Sequence, residues 1–404
     1  MQTRTVDRDD AQNVGTAGLW IIGFMMFANV VDMGGAWVIK YVSILIGAGY
    51  ILLRLKSIYV NKNVLLIVFL LFGIFPFWAL LNGVASGGAF GVARSQVTPF
   101  FVGLMYYLLL ARGGSLHAID AFLKSILVVA IATIVLVLGL FLFPDFPPLS
   151  GAFQYLIGLD DIQGKFGRRG LGPTTWYAVY FKPTLFFVPA FVYYLYNRQF
   201  GYCAVFFAAL TLAISKAGIL ICGIAVVWFV ITSGSLRAQF GVTALIGGLV
   251  AAVLSLVDVE VTMAYVNYFV DTLTGQAETT QIRLGHIRSF IDLMGSNPTY
   301  VVWGQGVGTG FYSIGMGRFT YDIELDHLDV IRQLGLLWFI AFSTCVAYVT
   351  IRLIRRSNPK EKGLGYAMAA LYVAAGTNPL LITPLFMMLL AALFQYDEDK
   401  GKRR

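Results

Sequence analysis

Long apolar runs recur along this chain, and a run of roughly 17–25 residues is what a helix needs to cross ~30 Å of hydrocarbon. About twelve can be drawn by apolar periodicity and length: near 17–32, 36–53, 64–83, 96–111, 125–143, 177–196, 201–215, 218–234, 240–257, 333–351, 364–376 and 380–395. Composition points the same way. Of 404 residues, 58% are hydrophobic and only 12% charged, with a mean hydropathy of +0.76. A soluble globular domain carries about 25% charged residues. The 32 Phe and 21 Tyr could not all be hidden in one core. The fold class expected is therefore all-α: a polytopic membrane protein, residues 1–404 forming a single integral membrane domain.

A net charge of +8 does not make the chain a nucleic-acid binder, because its bases gather in loops between apolar segments. Cys203, Cys222 and Cys345 all lie inside apolar runs and behave as small hydrophobes, which excludes a disulfide scaffold. The start MQTRTVDRDDAQNVGT mixes acids with bases and has no small-residue cleavage site, so the first run reads as a retained helix.

Lysine and arginine orient the set. Arg54, Lys56 and Lys62 follow the second run, Arg112 and Lys124 bracket the loop after the fourth, and Arg198 and Arg237 follow the sixth and eighth. Arg352, Arg355, Arg356, Lys360 and Lys362 follow the tenth, and Lys400, Lys402, Arg403 and Arg404 end the chain. Simple alternation puts all of these on one side, the cytoplasm, with both termini. The opposite side holds a short Gly-rich loop near 84–95, a second loop at 144–176 and a long one at 258–332 between helices nine and ten. Loops of that last length are usually functional. Within it, TTQIRLGHIRSFIDLMG has nearly the spacing of an amphipathic helix lying at the interface.

The outward cations break the topology rule: Arg94, Lys165, Arg168, Arg169, Lys182, Lys216, Arg283, Arg288, Arg318 and Arg332. One reading pairs them with outer acids such as Asp160, Asp161, Asp258, Glu260 and Asp292, or lets them snorkel at helix ends. The other converges them on an anion, since guanidinium holds phosphate oxygens bidentately. A lipid with a diphosphate head is the obvious anion at a membrane face. A second feature is Glu324-Leu325-Asp326-His327-Leu328-Asp329, just before the tenth helix. These groups can take a proton from a sugar hydroxyl, bind a divalent cation, or simply form a solvated acidic loop. His286 reads as an interface residue and His117 lies on the cytoplasmic side. The run Gly304-Gln305-Gly306-Val307-Gly308-Thr309-Gly310 lacks the strand, helix and Lys-Ser/Thr context of a nucleotide loop. It reads as backbone that approaches a ligand or helix closely.

The pattern Arg283…Asn297-Pro298…Gly304-x-Gly306-x-Gly308, then Glu324-x-Asp326-His327…Gly335-Leu336-Leu337, resembles the O-antigen polymerase and ligase superfamily (Wzy-type polymerases and WaaL-type ligases). Arg168-Arg169-Gly170-x-x-Pro173 and Ser215-Lys216 resemble two further segments of that family, and the likeness spans roughly 160–350. The resemblance implies a metal-independent, inverting glycosyltransferase of the GT-C type in the bacterial inner membrane, with no cofactor and its active site on the periplasmic face. Its substrates would be undecaprenyl-diphosphate-linked glycans, and its pathway partners a flippase and a chain-length regulator. By position, Arg283 would grip the donor diphosphate, assisted by Arg169, Arg168, Lys216, Arg288 and Arg94. Glu324 would be the base activating the acceptor hydroxyl, with His327 the alternative. The family's ligase His-Asn pair is absent, which favours a polymerase over a ligase acting on lipid A core or protein. Lys216 stands in place of Arg, and Thr174-Thr175 where Asn is expected. The alternative from another class is a secondary transporter or flippase for an anionic substrate. No internal repeat is visible, however, and the polar groups gather at one face rather than along a pathway.

Overall fold

The structure is a computed structural model that describes residues 3–54, 62–171, 174–233, 241, 244, 263, 267, 270–271 and 274–402. Nearly all of the expected ninth helix at 240–257 lies outside these residues, as do Lys56, Arg237, Asp258, Glu260, Gly172, Pro173, Arg403 and Arg404.

The described chain is mostly helical. It runs α1 (Thr3–Val31), α2 (Ile39–Arg54), α3 (Lys62–Phe69), α4 (Phe75–Ala85), α5 (Phe90–Leu109), α6 (Ser115–Leu142) and α7 (Pro147–Ile157). A hairpin of β1 (Gly164–Leu171) and β2 (Thr174–Phe181) precedes α8 (Phe187–Tyr196), α9 (Phe200–Leu212) and α10 (Lys216–Ser233). Then follow α11 (Glu278–Ser296), α12 (Thr299–Trp303), a second hairpin of β3 (Phe311–Ser313) and β4 (Arg318–Thr320), and α13 (Asp326–Ile354), α14 (Pro359–Ala375) and α15 (Pro384–Lys402).

Three of these stretches are long and apolar enough to cross a membrane: Val64–Ala85, Ser115–Leu142 and Asp326–Ile354. Shorter apolar helices add Gly15–Val31, Phe200–Leu212 and Lys216–Thr232. Helix α8 and the stretch Leu385–Phe394 of α15 are apolar all round and almost wholly buried, so they form the centre of the bundle. Outside them, Trp20, Leu45, Val135 and Ile231 stand exposed on four different helices. So widespread an apolar surface has no place in water. A π-helical turn at Leu70–Ile74 joins α3 to α4, and the buried Trp338 donates its indole N–H to the carbonyl of Leu71 in that turn (3.0 Å).

Two departures from the all-helical expectation matter. The sixth apolar run, 177–196, is not one helix: its first residues are the strand β2, and regular α-helix begins only at Phe187. The loop expected at 144–176 is likewise structured, holding α7, β1 and the start of β2. By contrast, the helix expected within 258–332 is present as α11.

Charged groups segregate to opposite ends of the bundle. At one end Arg356 sits between Glu361 and Asp397, Arg352 reaches Asp397 (2.9 Å), and the Tyr107 hydroxyl donates to Glu398 (3.0 Å). At the other end lie both hairpins, α11 and the start of α13. There the Gly-rich run is a wedge of backbone. Gly306 and Gly308 have φ of +93° and +76°, and a Cβ on Gly306 would collide with the backbone of Gly83. The run is stitched by Val307 N to Ala79 O (3.1 Å), Gly308 N to Gln96 Oε1 (2.7 Å) and Gly306 N to Gln333 O (3.1 Å). The close approach expected of these glycines is to helices α4, α5 and α13.

Candidate active site

The acid run shows how folding assigns different tasks to adjacent residues. Asp326 and Asp329 lie in the first turn of α13, where carboxylates meet the positive end of the helix. Both are buried. Asp326 Oδ2 accepts from the backbone N–H groups of Leu380 (2.7 Å) and Leu381, holding the connection between α14 and α15. Asp329 accepts from Arg332 Nε (2.8 Å) and Gln333 Nε2 (2.7 Å). His327 packs its ring against Tyr372 (4.7 Å) and Phe339 (5.7 Å). Its Nε2 is buried without a partner among the described residues. Glu324, ahead of the helix, is the one acid of the three that faces outward, with its side chain 46% exposed.

Glu324 Oε2 meets Arg283 Nη2 at 3.1 Å, so α11 and the segment before α13 converge here. Arg283 Nη2 also makes a long contact (3.4 Å) to the carbonyl of Thr377. Neither Nε nor Nη1 of Arg283 has a hydrogen-bond partner among the described residues, and Nε is buried. A guanidinium with unspent donors in a partly enclosed place is chemically ready for an anion.

Three further groups surround this pair. Tyr180 on β2 lies beside the Ser215 side chain, and both it and the Arg283–Glu324 pair act on the phenol electrostatically. Burial pushes the Tyr180 phenol well above its ordinary range, so it remains a neutral donor. His286, one turn along α11, is wholly buried, and its Nδ1 lies 2.9 Å from Ser313 Oγ. Burial above all, and Arg283 to a lesser degree, push its imidazole below 6.5, while Glu324 pulls the other way. His286 is thus enclosed within the cap, not exposed at an interface.

Of the remaining cations, Arg332, Lys165, Arg168, Arg94 and Arg288 do not join the pair among the described residues. Arg332, for which both acid pairing and anion binding were open, is fully enclosed and spent on the protein. Its Nη1 donates to Thr309 O (2.9 Å) and Gln305 Oε1 (3.2 Å), its Nη2 to Tyr321 O (2.6 Å) and Asp329, and its guanidinium lies over Phe311. Lys165 pairs with Asp161. Arg168 lies over the Tyr177 ring (5.6 Å), and Arg94 is exposed on α5. Neither shares a hydrogen bond or ion pair with Arg283 or Glu324 among the described residues. Arg169 pairs with Trp176 in strand register, but its side chain lies outside the described set. Lys216 opens α10 directly after Ser215, beside the Tyr180 contact. Arg288 leaves α11 on another side and lines a separate groove with Arg318. No three His, Cys, Asp or Glu side chains among the described residues converge as metal ligands, each member of the acid run being turned elsewhere.

Tyr180 is the member of this group that the hydropathy pattern hid, because it fell inside an apolar run. The signal was present: TTWYAVYF is rich in β-branched and aromatic residues and follows the dipeptide Gly-Pro, a common strand boundary in sequence. No family model matches this chain, and no curated protein matches it.

Proposed function

We propose that the protein is a polymerase of bacterial surface polysaccharide, moving a glycan from an undecaprenyl-diphosphate carrier to a lipid-linked repeat unit at the periplasmic face. The observation that carries this is the Arg283–Glu324 pair: a cation with unspent donors beside an exposed carboxylate, at the end of the bundle away from the basic one. In this reading the chain crosses the inner membrane about twelve times, with both termini cytoplasmic. The resemblance to the O-antigen polymerase superfamily and the absence of visible halves or midplane charges weigh against a transporter.

The chemistry divides between the two residues. Glu324 accepts the proton of the acceptor hydroxyl, whose oxygen forms a bond to the anomeric carbon on the face opposite the carrier. The bond from that carbon to the diphosphate oxygen breaks, and the lipid diphosphate leaves with the electron pair. Arg283 then exchanges its contact with Glu324 for the departing diphosphate, a stabilisation suited to a fixed cation. Tyr180 is placed to donate to the same oxygens.

The test is a gel of lipid-linked and surface glycans from cells lacking the protein, complemented with wild type, Arg283→Ala or Glu324→Gln. Collapse of the ladder to single repeat units, rescued by wild type alone, is the expected result. Long chains held on the carrier and missing from the surface would instead identify a ligase. An unchanged ladder would overturn the proposal.

A further inference from the structure

A groove of about 570 Å³ runs between α11 and the turn joining β3 to β4, within the range of ligand sites in general. Its polar lining is Glu278, Gln281, Arg288 and Arg318. Neither arginine meets a carboxylate among the described residues. The floor is fixed. Gly285 and Gly315 bring the two backbones into direct contact, so a Cβ on either would collide with the other segment. Ile314 N donates to Ser289 Oγ (2.8 Å), Met316 N donates to Ser313 Oγ (3.1 Å), and that same Oγ meets His286. A ligand entering here meets a preformed site, which lowers the ordering cost of binding.

The lining chooses among anions. Two guanidiniums alone would suit a bare phosphate, but Glu278 in the same groove would repel one. A carboxylate acceptor, an amide whose Nε2 is held by Gly275 O (2.7 Å) and whose oxygen accepts, and two bidentate donors together suit a ligand with hydroxyls as well as one negative group. We infer that this groove binds an acidic sugar unit of the glycan, Arg288 and Arg318 holding its carboxylate while Glu278 and Gln281 take its hydroxyls. The identification of the ligand as substrate glycan rests on the polymerase reading, and the site is separate from the Arg283–Glu324 pair.

The experiment is calorimetric titration of the full chain in detergent with trigalacturonate, using maltotriose and inorganic phosphate for comparison. Trigalacturonate should bind, and Arg288→Gln and Arg318→Gln should each weaken it at least tenfold, while Arg283→Gln changes it less than twofold. Because both arginines are exposed, the variants should melt with wild type, and a melting check separates lost binding from lost fold. Equal binding of maltotriose, full competition by equimolar phosphate, or loss in Arg283→Gln matching that in Arg288→Gln would each overturn the inference. So would displacement of the sugar by phosphatidylglycerol nanodiscs, which would make the groove a lipid site. Binding that survives an unchanged cellular ladder would leave the groove standing and the polymerase reading fallen. A collapsed ladder with no trigalacturonate binding would do the reverse.

Discussion

Arg332 and Arg283 lie at the same end of the bundle, each within hydrogen-bond reach of a carboxylate from the acid run, yet they are used in opposite ways. Arg332 has an exposure of 0%, and each of its nitrogens finds an acceptor. It ties the Gly-rich wedge, the segment at Tyr321 and the first turn of α13 into one unit. Arg283 is 26% exposed, pairs with a carboxylate that is itself open, and leaves donors unused. The difference teaches that an arginine is not informative by the end of the bundle it occupies. What matters is whether its donors are already spent.

The comparison breaks most sharply at Arg332. Arg332→Met would leave Asp329 buried without its cation, and breaking a buried pair from one side costs about 3–5 kcal/mol. The expected outcome is a large fall in the thermal unfolding midpoint in detergent, with little folded protein recovered. A variant that melts with wild type would mean that Arg332 is dispensable to the wedge and that its enclosure has been overread.

Arg283→Gln and Glu324→Gln sharpen the comparison from the other side. A partly exposed pair contributes ~1 kcal/mol or less, so either variant should melt close to wild type. Chain growth should nevertheless stop in both. If Arg283→Gln destabilises as strongly as Arg332→Met, the two arginines are the same kind of residue and the distinction fails. If Glu324→Gln polymerises normally, the carboxylate is only a counter-ion.

Much of this was legible in the sequence, and the gaps have physical causes. The runs 64–83, 125–143 and 333–351 lie inside the three long apolar helices to within a residue, because hydropathy over a whole span is a strong signal. The run 177–196 misled because a buried strand and a buried helix have the same hydropathy, and here they are adjacent. Within the acid run, spacing shows that Asp326 and Asp329 share a helix face. It cannot show that the backbone of Leu380 and Leu381, more than fifty residues on, occupies Asp326. Asp329 and Arg332, three apart, did carry a local signal of pairing. The resemblance between motifs named Arg283 and Glu324 separately, one as the diphosphate grip and one as the base, and no rule of local structure would have joined residues that lie on separate elements.

The smallest effect expected is local and depends on pH. His286 is buried and held to Ser313, and its imidazole lies below 6.5 because burial, and then Arg283, disfavour its charged form against the pull of Glu324. The unfolded chain therefore binds more protons than the folded one as pH drops, so stability rises with pH. The contribution is complete above 6.5 and declines as pH falls below it. The amides of Ile314 and Met316, which donate to Ser289 and Ser313, should report this directly. Their hydrogen exchange, corrected for the intrinsic rate, should accelerate between pH 6.5 and about 5, the interval in which an ordinary histidine charges. His286→Gln should flatten that dependence. Arg283→Gln should weaken it, because removing the neighbouring cation lets the imidazole rise toward its ordinary value. Arg332, whose guanidinium is not among the groups acting on His286, offers the contrast. Protection that is indifferent to pH in the wild type would mean that the imidazole does not hold the groove floor.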